Sequence, residues 1–91
     1  MTRGRTAGNV IPKEILARAI SEELETRGLS QTQAAWIAKD APSQLSLIVN
    51  GKLKGFSSER LVRILTRLGR DVEIRVAKAS GRTGKVRVTV Q

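Results

Sequence analysis

The sequence contains no cysteine, no histidine and no tyrosine, and its aromatic complement is Trp36 and Phe56 alone. Without cysteine there is no disulfide framework, and without cysteine or histidine the usual zinc ligand sets are excluded. The same gaps remove the thiol nucleophile and the general base that titrates near neutrality, leaving only serine, lysine and carboxylates for chemistry. No Ser/Lys pair stands in a recognisable hydrolase setting, so the expectation is a protein that is not an enzyme and that uses no cofactor or metal. Two aromatic residues also give almost no platform for stacking single-stranded bases. Apolar runs fall far short of the roughly 18 residues needed to span a bilayer, and no apolar signal region follows the N-terminal arginines. A soluble, cytoplasmic protein with no membrane partner is expected.

What the chain does have is positive charge. Its 91 residues carry 17 Lys and Arg against 8 Asp and Glu, a net charge of +9, a balance that favours polyanionic partners. The length suits one domain with a modest core, and with so few aromatics that core must be built from Leu, Ile, Val and Ala. The charge is unevenly placed. Residues 10–38 are slightly acidic, whereas Lys39, Lys52, Lys54, Arg60, Arg63, Arg67 and Arg70 face only Asp40 and Glu59 across residues 39–70. The N-terminal stretch adds Arg3 and Arg5, and residues 71–91 are again net basic.

Patterning divides the chain into three parts. Residues 1–9 show no apolar periodicity and read as a flexible basic arm. Residues 10–70 carry four helix patterns. Pro12 suits a first turn, Ile15, Leu16, Ala19, Ile20 and Leu24 share one face opposite four glutamates, and Gly28 stops that helix. Ser30 and Gln33 form a capping box, with Leu29 and Ala34 at staple spacing, for a short helix from Gln31 to Ala38. Pro42 forces Ala41 extended and opens a third helix to Asn50, with Leu45, Ile48 and Val49 inward and Gly51 after it. Past a basic loop at Lys52 to Gly55, Ser57 caps a fourth helix through Leu68, Phe56 and Leu61 again standing at staple spacing. Leu61, Val62, Ile64, Leu65 and Leu68 face its core. In residues 71–91 the period changes to two, with Val72, Ile74 and Val76 and then Val86, Val88 and Val90 alternating with polar neighbours, which predicts a β-hairpin around Gly81 and Gly84.

Two short helices joined by a turn of about four residues, followed by a basic loop, are the pattern of a helix-turn-helix, whose second helix enters the major groove. With Leu45, Ile48 and Val49 inward, Ser43, Gln44, Ser46, Leu47 and Asn50 face outward. Glutamine can pair bidentately with adenine, serine reaches several base edges, and leucine can touch a thymine methyl.

From Leu29 to Gly69 the chain resembles the Xre/Cro family of helix-turn-helix proteins, through Ser30-Gln31, Leu45-Ser46, Ile48, Asn50-Gly51-Lys52 and Leu61-Val62 to Leu68-Gly69. Phe56-Ser57 through Asp71-Val72-Glu73-Ile74-Arg75-Val76 looks like the small HigA-type antitoxins, and together these stretches cover about half of the chain. The resemblance implies a mainly α fold, a four-helix Xre/Cro-like helix-turn-helix core followed by a C-terminal β-hairpin. It implies a homodimer on double-stranded DNA at a palindromic operator, in a prokaryotic, nucleoid-associated setting, and a RelE/HigB-like toxin as partner. It also implies roles: Gln31 touches phosphate and buttresses the reading helix, Ser43, Gln44 and Leu47 read bases, and Ser46, Asn50, Lys52 and Lys54 meet backbone. The chain departs from the family pattern at Lys39, where a glycine is common. Either Lys39 or Asp40 must then be left-handed at a cost of about 1 kcal/mol, or the turn is rebuilt. Asp40 replaces an apolar residue and is a candidate cap for the third helix, and Pro42 stands where relatives carry a base-reading residue.

Other features have plainer readings. Arg60, Arg63 and Arg67 read as a hydrated helix face. Trp36, inside a short helix, reads as packing, the alternative being a subunit or toxin interface. Arg3 and Arg5 resemble a minor-groove arm but equally an unstructured terminus. Gly81-Arg82-Thr83-Gly84-Lys85 lacks the spacing and context of a phosphate loop and reads as the hairpin loop. The hairpin needs something to pack on, and pairing across a two-fold axis is one expectation, with toxin binding or folding back on the fourth helix as rivals. A stand-alone or phage-type regulator without a toxin, and a non-specific nucleoid or RNA-binding protein, remain alternatives for the whole chain.

Overall fold

A computed structural model describes residues 12–74 and 88–90. These form four helices, α1 (Lys13–Arg27), α2 (Gln31–Ala38), α3 (Pro42–Val49) and α4 (Ser58–Arg67), and two short strands, β1 (Val72–Ile74) and β2 (Val88–Val90). The helix starts follow the side chains expected to make them. Ser30 Oγ accepts the Gln33 amide and the Gln33 side chain accepts the Ser30 amide, completing a capping box at α2. Ser57 Oγ accepts the Arg60 amide at α4, with Phe56 and Leu61 both buried beside it. Pro42 occupies the first turn of α3, where its missing N–H costs nothing.

All four helices stop by one device. In each, a residue with positive φ turns the chain so that two successive amides donate back to carbonyls of the last turn. Gly28, Gly51 and Gly69 do this for α1, α3 and α4. For α2 the residue is Lys39, at φ 58 and ψ 50, with its amide donating to the Trp36 carbonyl at 3.3 Å and the Asp40 amide to Ala35 at 2.9 Å. Of the possibilities at this turn, it is Lys39 and not Asp40 that takes the left-handed, strained place.

The core is a single cluster in which Leu16, Ile20, Leu45, Ile48, Leu61, Ile64, Leu65 and Leu68 are fully buried. Leu29, Val49, Leu53, Val62 and Val72 pack on its rim. α1 lies against α3 and α4, and α2 against α3 and α4. Two assignments of the sequence pattern shift. Ile15 is 43% exposed and Ala17 is buried in its stead, because a helix face centred on Leu16, Ile20 and Leu24 takes in position 17 and turns 15 toward solvent. Asn50 and Leu68 act as C-terminal caps outside α3 and α4.

β1 and β2 pair antiparallel, Val72 opposite Val90 and Ile74 opposite Val88. β1 lies against α4 and β2 against α1. The expected hairpin loop at Gly81 and Gly84, the longer strands reaching Val76 and Val86, and the arm with Arg3 and Arg5 lie outside the described residues. No helix of the described residues is long and apolar enough to cross a membrane.

Candidate nucleic-acid interface

α3 is amphipathic in the way a reading helix requires. Leu45 and Ile48 are fully buried and Val49 half-buried, which fixes one face on the core. At 100° per residue, Ser43, Leu47 and Asn50 fall on the opposite side at i, i+4 and i+7. All three are exposed, Leu47 at 37%, while Gln44 and Ser46 flank this stripe half-buried. Apart from Leu47, the side chains presented are small or polar. Gln31 sits exposed at the first turn of α2. The side chains of Gln31, Ser43, Gln44, Lys52 and Lys54 make no hydrogen bond or ion pair with another described residue. Asn50 differs, since its Nδ2 donates to the Ser46 carbonyl at 2.8 Å and closes the end of α3.

After Gly51 the loop alternates. Leu53 is tucked onto the core rim while Lys52 and Lys54 on either side are exposed. A shallow groove lined by Lys13, Glu14, Gly51, Lys52, Leu53 and Lys54 brings the start of α1 to this loop. Lys13 thus joins the basic patch, although nothing in its sequence spacing connects it with Lys52.

The arginines of α4 do something other than coat a hydrated face. Arg60 Nη2 donates to Asp40 Oδ1 at 2.8 Å and its Nε to Oδ2 at 3.3 Å, with the guanidinium over the Phe56 ring at 4.7 Å. Arg67 Nη1 donates to the Ala38 carbonyl, at the end of α2, at 3.0 Å. Arg63 and Arg67 are both exposed and Arg60 is half-buried, and Arg63 alone of the three makes no side-chain hydrogen bond or ion pair with another described residue. Beyond the helix, Arg70 pairs with Glu23 at 3.0 Å, and Arg27 donates to the Leu68 carbonyl at 2.7 Å. Part of the basic excess therefore serves internal contacts, which leaves Lys39, Lys52, Lys54 and Arg63 as the cations of residues 39–70 whose side chains make neither an ion pair nor a hydrogen bond to another described residue.

Asp40 is not the cap of α3. That position belongs to Ala41, which makes no side-chain cap. Asp40 Oδ1 instead accepts the Ala41 amide at 2.9 Å. Burial raises the Asp40 pKa, but the Arg60 hydrogen bonds, the Ala41 amide and the charges of Arg60 and Arg63 outweigh it, holding the carboxyl below its ordinary 3.8.

Trp36 does not pack into the core. It is 81% exposed and borders a shallow apolar groove with Thr32, Ala35, Lys39, Asp40 and Pro42. The signal was present in the sequence, because Ala34, Ala35 and Ala38 define the inward face of α2 and position 36 points away from it. Among the described residues no group of carboxylates is arranged to hold a metal ion.

The family model of the helix-turn-helix domain matches residues 6–77, which takes in all four helices and β1. Among curated proteins and among solved structures, none matches the chain. A capped α2, a three-residue connection from Lys39 to Ala41 and an α3 buried on one side only are the parts such a domain needs, and the chain belongs to the helix-turn-helix domain family of DNA-binding proteins.

Proposed function

We propose that the protein is a homodimeric, sequence-specific transcriptional repressor that reads a palindromic operator through α3. The observation that carries this reading is the outward stripe of Ser43, Leu47 and Asn50, flanked by Gln44, on a helix whose other face is locked into the core. Gln44 is the base-reading residue of widest reach and pairs with adenine; Ser43 and Leu47 supply neighbouring contacts. Gln31, Ser46, Asn50, Lys52 and Lys54 meet the DNA backbone, Lys52 and Lys54 giving the salt-dependent part of the affinity. Protein dimers on such sites place two reading helices one DNA turn apart. The β1–β2 pair is the candidate dimer element.

Selection of bound duplexes from a randomised pool, followed by anisotropy titrations, tests the reading. Gln44→Ala is expected to weaken operator binding by about 1–3 kcal/mol and relax one base pair. Lys52→Ala weakens operator and scrambled duplex alike and lowers the salt slope by about 1. Equal affinity for operator and scrambled DNA at physiological salt would refute sequence reading and leave a charge-driven nucleoid or RNA binder. The resemblance of residues 56–76 to HigA-type proteins supports the further reading that the repressor is an antitoxin masking a RelE/HigB-like toxin. Co-purification of a small nuclease encoded beside it supports that role, and a chain that purifies without one from its native extract refutes it.

A further inference from the structure

Three hydrogen bonds from α4 converge on the turn between α2 and α3, two from Arg60 and one from Arg67. The two oxygens of Asp40 receive the fork of Arg60 at 2.8 and 3.3 Å. Oδ1 also accepts the amide of Ala41. The Ala41 carbonyl in turn accepts the first amides of α3, Gln44 at 3.0 Å and Leu45 at 3.2 Å. On the other side of the turn, Arg67 grips the Ala38 carbonyl. Guanidinium, carboxylate, amide and helix are thus linked in series by hydrogen bonds.

The guanidinium itself is fixed, since it lies over the ring of buried Phe56 and its residue's amide is capped by Ser57. The turn needs such restraint, because Lys39 is held in left-handed geometry that a lysine does not favour. Pro42 cannot relax by rotation about φ, so a change at Ala41 swings α3 as a body.

We propose that Arg60 is a positioning residue for the reading helix: through Asp40 it sets the direction in which α3 leaves the turn, and with it the discrimination between DNA sequences. This rests on the reading that α3 reads bases. A direct phosphate role for Arg60 fits the geometry less well, since its side chain is only 29% exposed and its fork is already engaged.

The full chain carrying Arg60→Lys, Asp40→Asn or both tests the proposal by two readouts. Lysine keeps the charge but not the fork, and asparagine keeps the shape but not the charge. The first readout is the ratio of Kd for scrambled duplex to Kd for the selected operator, at one ionic strength and well below each melting temperature. The second is hydrogen exchange at the amides of Ala41, Gln44 and Leu45. Each single variant should lower the ratio about tenfold, with scrambled-duplex Kd changed less than about twofold. The three amides should exchange faster while those of α1 do not, and the double variant should be no worse than the worse single one.

An unchanged ratio in both single variants overturns the proposal, as does an equal loss of affinity for both duplexes in Arg60→Lys, which would mark a phosphate contact. Unchanged exchange at the three amides overturns it whatever the DNA shows. Failure of the unmodified protein to discriminate at all refutes base reading by α3 instead, and the exchange readout then decides alone whether Arg60 holds the turn.

Discussion

Replacing Lys39 by glycine should stabilise the protein, although the substitution removes a long side chain and a charge. Lys39 ends α2 at φ 58 and ψ 50, where the Cβ of an L-residue crowds the following carbonyl at a cost of about 1–2 kcal/mol. Glycine escapes that cost but loses about 0.4–1 kcal/mol more backbone entropy on folding. The net gain is about 0.7 kcal/mol, slightly reduced by losing a cation at a helix C-terminus. With an unfolding entropy of about 2.1 cal/mol/K per residue, that raises Tm by about 4 °C.

Lys39→Ala is the necessary control, because it removes the same charge and keeps the Cβ. Thermal unfolding followed by circular dichroism, checked by urea denaturation with a common m-value, measures both variants. Glycine should exceed alanine by about 0.7 kcal/mol, the strain relieved less the entropy lost, with the two amide donations to Trp36 and Ala35 intact. A glycine variant no more stable than the alanine variant would show that the left-handed turn stores no strain, and the account of the turn would fail.

Leu45→Ala leaves a cavity beneath α3 and should cost about 2–5 kcal/mol in urea unfolding, the lower end if α3 settles inward. Trp36→Ala should change stability by no more than about 0.5 kcal/mol, since its ring is exposed; a loss of several times that would place the ring in a packed site. Asp40 has a folded pKa below its unfolded one, so its contribution is complete above the ordinary 3.8 and is lost as pH falls through the folded value. The stability difference between the native chain and Asp40→Asn should therefore be constant near neutrality and shrink in acid, as measured by urea unfolding at a series of pH values.

Local signals carried most of the fold. The capping box at Ser30, the Ser57 cap, Pro42 and the glycines after α1, α3 and α4 each act within a few residues, so their consequences can be read from spacing. Contacts between distant segments could not be. Arg60 and Asp40 stand 20 positions apart, and a periodic arginine face looks the same whether its side chains reach water or a neighbouring turn. Lys13 meets the Lys52 loop only because α1 folds back across it. The outward side of α3 was legible because its inward side was, since fixing Leu45 and Ile48 leaves only one orientation for Ser43 and Leu47. Trp36 was misread for a different reason: its size argued for burial while its position on the wheel argued against it, and position prevailed.

That exposed indole gives the protein a built-in optical reporter. With one tryptophan and no tyrosine, ultraviolet emission comes from a single spot on α2, next to the entry of α3. Its spectrum should already lie near the water-exposed limit in the native state, so denaturation will barely move it and fluorescence will understate unfolding. Any partner that covers α2 should shift the emission to the blue, whereas DNA lying along α3 alone should leave the wavelength unchanged, so one cuvette separates occupancy of the two faces without a label.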